Sequence, residues 1–478
     1  MKHFGWRWVA ASSLFLIAIL IRTGAAETRP QYGGTVRIAI REAPESLDPV
    51  DATQADSVAR RNLLALIFET LVTVDERGRI HPELAVEWQV APGNQRWQFR
   101  VRRSVKFHDG SALTAEIAAS SLRTANPSWK VFAEGDAVIV ECDHGDADLP
   151  AELALPRNSI VRRNGGGKLI GTGPFRIDDW QAGKRLTLSV EENHWHGRAF
   201  VDMIEVEMGR NYQEQLVELK LGTADLVEVA PEQGHRVAME GRRVITSQPM
   251  ELVALAFGSD AQTADEKLLR SSLAHSVERT SMRSVLLQGT GQATASVLPN
   301  WMGGYGFAFS TDADLKLARR EREQVRTTAN WTVGYDANDS LARVLVERVA
   351  LNAKDAGIVL RPTAGTAPLQ SDLPRLDIPG PDLPRLDLRL VRIPLASTDP
   401  WVALASVAGA LGMAMPRLNG DSAEDLYAAE RVLLAEQRVI PLFHLPAEWA
   451  SSPAVKDWRP ASDGSWRLDE VWMGREEQ

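Results

Sequence analysis

Segments with strand-like and helix-like patterns follow one another irregularly along the 478 residues of the chain, and this order constrains the fold more than any other feature. Residues 35–40 alternate polar and apolar side chains, as a half-buried strand does, whereas residues 55–71 carry apolar side chains at helical spacing. The strand candidates occur in groups and do not alternate strictly with helices. This grouping predicts an α/β protein with mixed sheets in more than one lobe.

Other segments extend this pattern. Trp97, Phe99 and Val101 alternate with polar residues, and Thr114 is a suitable N-cap for a helix over residues 115–122. Strands are also predicted at residues 184–190, 203–208 and 252–257, and helices at residues 213–221, 266–277, 341–353 and 423–434.

The first 26 residues resemble an export signal. Lys2 and Arg7 give a positive start, residues 8–21 form an apolar run, and small residues offer a cleavage point after Ala26. Arg22 ends the run short of the roughly 20 apolar residues that a spanning helix needs, although retention as an uncleaved anchor stays open. No cysteine follows that could carry a lipid. We therefore expect a mature protein that is soluble and periplasmic.

Charge and cysteine content exclude several classes of protein. Residues 1–26 hold three of the 54 basic residues and no acid, so the rest has 51 basic residues against 63 acidic ones, a net charge of −12. An acidic surface repels phosphate backbones, so we predict no nucleic-acid partner. Cys142 is the only cysteine, which excludes an intrachain disulfide, a Cys-based zinc site and an Fe–S cluster.

The sequence contains no complete catalytic motif. Gly165 to Lys168 resembles part of a phosphate loop, but Leu169 replaces the required Ser or Thr, so a turn is favoured. A Gly-x-Ser-x-Gly elbow and a His-Glu-x-x-His motif are both absent. His194 and His196 would share one face of an extended segment, but two ligands are too few for a metal site. We predict no enzyme activity, no resident metal and no cofactor.

Residues 362–384 contain six prolines, and Asp-Leu-Pro-Arg-Leu-Asp occurs twice, at 372–377 and 382–387. Proline removes a backbone donor and fixes φ, so a loop or an extended surface excursion is expected. A tandem duplication tolerated in a surface loop is favoured over a rigid functional arm.

An ordered set of short motifs covers the mature chain almost from end to end. The most specific is WQFRVRRSVKFHDGSALTAE at residues 97–116. The others are YGGT at 32–35, ESLDP at 45–49, FETLV at 68–72, HPELA at 81–85, GTGPF at 171–175, GTADL at 222–226, LRSSLAHSVER at 269–279, Asp399-Pro400 and VIPL at 439–442. Together they resemble the bacterial extracellular solute-binding proteins of family 5, the dipeptide-, oligopeptide- and nickel-binding components of ABC importers.

The resemblance implies an α/β, two-lobed periplasmic binding protein-like fold with mixed sheets, a hinge and a ligand crevice between the lobes. It implies a signal peptide over residues 1–26 and lobe one over residues 27–250. Lobe one would include an inserted subdomain at about residues 51–165. Lobe two would span residues 251–445, and a tail of residues 446–478 would return to lobe one.

One departure from the family bears on the ligand. In its peptide binders, an aspartate four residues before the proline of Asp/Glu-Pro binds the α-amino group of the ligand. Counting back from Pro400 puts Ala396 at that position, and the family's tryptophan falls at Ile393. The residues that the resemblance still places near the ligand are Thr53 and Gln54 of lobe one and Ser397, Thr398, Asp399 and Trp401 of lobe two.

The resemblance implies a non-enzymatic receptor, acting as a monomer, that captures a peptide or peptide-like solute and delivers it to ABC permease subunits in the membrane. The same fold with a non-peptide ligand, such as an oligosaccharide, a metal chelate or another metabolite, is the alternative that Ala396 favours. An exported hydrolase with an unrecognised site is the remote alternative.

Overall fold

The computed structural model describes residues 29–54, 56–365, 386–416 and 422–474. The predicted signal peptide and most of the proline-rich segment lie outside these residues. The strands, numbered in chain order, are β1 (Thr35–Ala39), β2 (Val72–Val74), β3 (Ile80–Pro82), β4 (Ala85–Val90), β5 (Arg96–Val101), β6 (Lys130–Glu134), β7 (Ala137–Glu141), β8 (Arg162–Arg163), β9 (Leu169–Ile170), β10 (Phe175–Gln181), β11 (Arg185–Val190), β12 (Met203–Glu207), β13 (Leu226–Val229), β14 (Arg243–Phe257), β15 (Gln292–Ala293), β16 (Asn330–Asp336), β17 (Val359–Gly365), β18 (Leu388–Pro394), β19 (Val439–Ser451), β20 (Val455–Lys456) and β21 (Trp472–Met473).

The α-helices span Val58–Ile67, Ala115–Ala125, Leu149–Leu153, Tyr212–Leu221, Gly234–Met239, Ala264–Ser276, Arg279–Leu286, Asn300–Gly303, Leu315–Glu323, Ser340–Asp355, Pro400–Ala410 and Ala423–Ala435, and short 3-10 helices span Pro156–Asn158 and Gly306–Ala308. Across the described residues, no helix combines the length and the apolar character needed to cross a membrane.

Eleven strands form one mixed sheet in the order β10-β11-β12-β1-β13-β19-β14-β18-β16-β17, with β15 paired to β19. Strand β1 is parallel to β12 and β13, and β16 is parallel to β17 and β18. Strands β14 and β19 are antiparallel to all of their partners. The sheet therefore consists of two halves, each of which contains parallel strands, and the antiparallel pair β14 and β19 joins them.

Each half of the sheet has its own apolar core. The half built on β10 to β13 packs around Ile38, Phe175 and Ile204, and we call it lobe one. The half built on β16 to β18, called lobe two, packs around Leu345 on one face and Leu404 on the other. Helices cover both faces of lobe two, as expected where a sheet is buried on both sides.

The two longest strands, β14 and β19, connect the lobes. Their pairing shifts register between Thr246 and Pro249 and again before Glu251. At this point Pro249 lies opposite Pro446, and neither residue has a backbone N–H to donate to its neighbour. The ladder is therefore weakest where the chain passes from one lobe to the other, as a hinge requires.

A subdomain with a separate core is inserted into lobe one. It contains the antiparallel sheet β4-β5-β7-β6 and the helix Ala115–Ala125, and its core runs from Leu71 to Ile170. The expected range of about 51–165 also included the helix Val58–Ile67. That helix packs instead in the core of lobe one, because Leu63, Leu64 and Ile67 contact its sheet.

The tail after β19 packs on lobe one. Trp458 and Trp466 are fully buried there, and each indole ring packs edge-to-face against Trp449 of β19. The indole N–H of Trp458 donates to the carbonyl of Trp466 at 2.8 Å, which satisfies a polar group that burial would otherwise leave unpaired.

Most of the predicted helices and strands are confirmed. Thr114 caps its helix by accepting a hydrogen bond from the backbone N–H of Ile117. Residues 252–257 are a strand, but only as the last part of β14, because Pro249 interrupts the apolar pattern before them. Pro362 lies within β17 and not in a loop. Strand β17 is at the edge of the sheet, where a residue without an N–H is tolerated.

Candidate functional site

The carboxyl ends of parallel strands from both lobes face one crevice. Arg41 and Glu42 follow β1, and Glu228 lies in β13 of lobe one. Asp339 follows β16, and Arg392 lies near the end of β18 in lobe two. The crevice outside the carboxyl ends of such strands is the usual ligand site of open α/β sheets. It contains two chambers that share Val58, Met250 and Asp463 as lining residues.

The larger chamber has a volume of about 540 Å³. Its walls come from the inserted subdomain, lobe one, the C-terminal tail and the lobe-two segment from Leu395 to Thr398. Two hydrogen bonds close it across the lobes. The Nη1 of Arg61 donates to the carbonyl of Leu395 at 2.5 Å, and the Oγ1 of Thr398 donates to the carbonyl of Asp75 at 2.9 Å.

An apolar contact supports the same closure. Ala151 and Leu155 of the inserted subdomain pack against Val402 of lobe two. Because these side chains are all buried, the structure has the lobes in contact on this side of the crevice.

One wall of the larger chamber carries a buried group of polar side chains. The Glu69 carboxylate lies 3.1 Å from Nε2 of His194 and accepts the indole N–H of Trp195 at 3.0 Å. Burial opposes charge on the imidazole, but the carboxylate outweighs it and raises the pKa of His194. Glu83 lies beside Glu69, and burial together with that second carboxylate raises the pKa of Glu83 to about 7.

The smaller chamber has a volume of about 90 Å³ and lies at the hinge. Arg392 bridges two acids of lobe two there, with nitrogen-to-oxygen distances of 2.5 Å to Glu251 and 2.9 Å to Asp339. Burial works against the charge of Asp339, but the guanidinium prevails and lowers the pKa of this carboxyl group. Both acids on this side therefore have a cationic partner.

On the lobe-one side of the smaller chamber, the acidic side chains have fewer cationic partners. The backbone N–H of Arg41 donates to Oε2 of Glu228 at 2.6 Å, and the Arg41 guanidinium lies 5.5 Å from the centre of the Tyr212 ring. Burial raises the pKa of Glu228, and it raises that of Glu42 to about 7. Both carboxyl groups are thus in surroundings that disfavour their charged forms.

Glu448 of the hinge strand β19 is the third acidic residue that lines the smaller chamber on the lobe-one side. The residue is 8% exposed, and its Oε2 has no hydrogen-bond partner within the part of the chain that the structure describes. Burial, reinforced by nearby Glu232, raises the pKa of Glu448 to about 7. Oε2 of Glu232 is also without a partner among these residues.

Only some of the sequence-predicted site residues line a chamber of the crevice. Ser397 and Thr398 line the larger chamber, as does Ala396. The Asp399 carboxylate accepts the backbone N–H groups of Trp401 and Val402 and so caps the helix Pro400–Ala410. Trp401 is half-buried and packs against a core of lobe two.

The two candidates from lobe one lie outside both chambers. Thr53 is exposed, and its hydroxyl donates to Asp51 at 2.6 Å. The Gln54 side chain accepts the backbone N–H of Glu45 at 2.9 Å, so it holds the loop together locally. These residues stay predictions as ligand contacts.

The charged residues of the smaller chamber were missed by sequence reasoning. Arg41, Glu228, Arg392 and Glu448 come from four distant parts of the chain, so no local motif joins them. A signal was nevertheless present: Glu228 is the one polar residue of β13 and Glu448 lies in the mostly apolar β19, where burying a charge is costly unless it has a role or a partner.

Similarity to known proteins places the chain in a family. A family model described as "Bacterial extracellular solute-binding proteins, family 5 Middle" matches residues 79–373, more than half of the chain. The chain belongs to this family. The predicted family is therefore confirmed, and so is the predicted two-lobed α/β fold class with mixed sheets.

Individual relatives are distant in sequence. The uncharacterized protein YhjP of Bacillus subtilis is 29% identical over 204 residues, which are 40% of this chain and 34% of YhjP. The oligopeptide-binding protein AppA of the same organism is 21% identical over 338 residues, 63% of this chain and 60% of AppA. The matched region thus spans about a third of YhjP and three-fifths of AppA.

A solved structure covers more of the fold. The periplasmic binding protein DppA of Helicobacter pylori, in complex with the peptide STSA, superposes with a TM-score of 0.78 at 18% identity. The superposition covers 94% of this chain and 100% of the DppA chain.

Proposed function

We propose that this protein is the solute-binding component of an ABC importer. It captures a peptide or peptide-like solute between its lobes and delivers it to a permease in the membrane. Its family consists of solute-binding proteins and not of enzymes.

The observation that carries this proposal is the crevice between two lobes that share hinge strands. Its larger chamber, about 540 Å³, is within the size range of small-molecule sites. The segment from Leu395 to Thr398 forms part of its wall and also makes the hydrogen bonds that join the lobes. A solute bound against this segment would favour the closed arrangement, which is the differential interaction that ligand-driven closure requires.

The names of relatives favour a peptide ligand. AppA is named as an oligopeptide-binding protein, and the DppA structure contains a tetrapeptide. Ala396 lines the larger chamber and offers no carboxylate for an α-amino group, so the peptide would need another anchor. Export through residues 1–26, a periplasmic location and action as a monomer belong to the same proposal.

The test is a thermal-unfolding screen of the chain without residues 1–26, with di- to pentapeptides, oligosaccharides and nickel chelates. A ligand at 100 times its Kd stabilises the protein by about 2.7 kcal/mol. We expect peptides to raise the midpoint, the radius of gyration in solution scattering to decrease on binding, and the peptide to be recovered intact.

The other outcomes of this screen would each support a different function or refute the proposed one. Stabilisation by an oligosaccharide or a chelate alone would keep the receptor function and refute the peptide. Cleavage of the bound peptide would point to a hydrolase. A midpoint that no member of the panel changes would refute the proposed function.

A further inference from the structure

The smaller chamber at the hinge is lined by more acidic than basic side chains. It is lined by two guanidinium groups, Arg41 and Arg392, and by five carboxylates, which are Glu42, Glu228, Glu251, Glu448 and Asp463. Arg392 is engaged by two acids, Glu251 and Asp339. Arg41 is thus the other basic residue of the lining, against four further acidic residues.

Two buried oxygens in this region have no partner among the described residues. They are Oε2 of Glu448, a chamber-lining residue that is 8% exposed, and Oε2 of Glu232, which lies near Glu448 but does not line the chamber. A buried acceptor without a donor costs about 1–3 kcal/mol, and more when it is charged. A donor that reaches the Glu448 carboxylate would offset part of this cost.

We propose that the smaller chamber is a subsite for a cationic group of the solute, an ammonium or a guanidinium, whose carbon skeleton continues into the larger chamber. This inference rests on the proposed function and deepens it, because it names the chemical class that the crevice selects. Ammonium and guanidinium groups are donors only, and they match the Glu448 carboxylate, whose Oε2 lacks a donor among the described residues.

The dimensions of the crevice fit such a division. A chamber of about 90 Å³ accommodates a charged head group but not a whole peptide. The residues shared by both chambers include apolar Val58 and Met250, which suit the methylene groups attached to a charged nitrogen.

The same subsite offers a replacement for the aspartate that Ala396 lacks. Pro394 lines the smaller chamber, and Ala396 lines the larger one two residues later. A cation near this segment therefore meets carboxylates from lobe one and from the hinge strand β19. Because Glu228 and Glu448 lie on the paired strands β13 and β19 and Arg392 lies on β18 of lobe two, a cation bound to the two acids would sit between the lobes and draw them together.

Two matched pairs of probes test the proposal by isothermal titration calorimetry. Trialanine and N-acetyltrialanine differ by the terminal ammonium. N-acetyl-Ala-Arg-Ala amide and its citrulline counterpart differ by the guanidinium of a side chain. We expect the cationic member of at least one pair to bind at least 10-fold more tightly than its neutral partner, and the pair that responds identifies the source of the charge.

Variants then locate the effect. Glu448→Gln should weaken binding of the cationic probe by about 10- to 100-fold, the loss of one charge-assisted hydrogen bond, and leave the neutral probe unchanged. Glu430→Gln is the matched control, because Glu430 is also a buried glutamate with a raised pKa but does not line either chamber. Glu228→Gln provides a second variant if Glu448→Gln does not fold.

The outcomes separate this inference from the proposed function. Equal binding of both members of each pair, or loss of affinity for the neutral probe as well, would overturn the cationic subsite while solute binding stands. Absence of binding by all four probes would overturn the subsite as well. If the oligosaccharides and chelates of the wider screen also fail to bind, the proposed function is refuted with it.

Discussion

Replacement of Glu448 by glutamine should make the unliganded protein more stable, and the gain should depend on pH. Glu448 is buried in β19 without a partner for Oε2 among the described residues, and burial raises its pKa from 4.5 to about 7. The folded state therefore binds the proton more tightly than the unfolded state does. Stability from this group is complete below pH 4.5 and is lost as the pH rises to about 7.

The size of the effect follows from that difference in pKa. At 1.36 kcal/mol for each pKa unit, the charged carboxylate costs about 3 kcal/mol above pH 7. Glutamine has nearly the same shape and no charge, so the variant should match the wild type at pH 4.5. At pH 8 it should gain up to about 3 kcal/mol, or roughly 3 °C in Tm if a chain of this size unfolds cooperatively.

The assay is thermal unfolding of both proteins at half-unit steps from pH 4.5 to pH 8, without ligand. Glu87→Gln serves as the control, because Glu87 is exposed on β4 and forms an ion pair with exposed Arg100, so its effect should stay within about 0.5 kcal/mol at every pH. A Glu448→Gln difference that does not change with pH, or a variant less stable than the wild type at pH 8, would refute the reasoning.

Three further predictions concern other contacts. Thr398→Val keeps the shape but removes the hydroxyl that bonds the Asp75 carbonyl across the crevice, so the affinity for the solute should fall about 3- to 10-fold in calorimetry; Thr124→Val, which removes a hydroxyl that donates to the Ser120 carbonyl of the same helix, should bind normally. Trp458→Ala empties a fully buried site in lobe one and should lower the free energy of unfolding by about 3–5 kcal/mol in urea titrations, and a loss under 1 kcal/mol would contradict this packing. Ala396→Asp puts a charge beside the apolar contact of Ala151, Leu155 and Val402 that joins the lobes, so it should weaken the binding of trialanine and N-acetyltrialanine alike in calorimetry; a gain for trialanine alone would place the ligand's ammonium at this position instead of in the smaller chamber.

The sequence predicted local structure better than it predicted the site. The capped helix beginning at Ala115 follows from short-range rules, since Thr114 and the apolar spacing are both visible in the sequence. The central position of β19 does not follow from such rules, because its partners β13 and β14 lie about 200 residues earlier. Its pattern is also unusual, with an uninterrupted series of buried residues from Val439 to Pro446.

The candidate site could also be predicted from the sequence only in part. Ser397 and Thr398 were located near the crevice by their distance from Pro400, and the structure places both in the wall of the larger chamber. The charged chamber at the hinge depends on which strand ends meet, and this is decided by sheet order rather than by any motif. Only the cost of burying Glu228 and Glu448 within apolar strands could have indicated it.

The position of β19 also has a consequence for how the chain folds. Lobe two lies between β14 and β19 in the sequence, so its core comes from one continuous stretch of the chain, which Ile440 and Phe443 of β19 complete. Lobe one is different, because β13 lacks its second neighbour, and the tail that carries Trp458 and Trp466 is missing, until the last forty residues arrive. We therefore expect lobe two to acquire structure first and the joining of the lobes to be the slow step, since it closes the longest loops in the molecule. Until that step is complete, the chain has no crevice and cannot hold a solute.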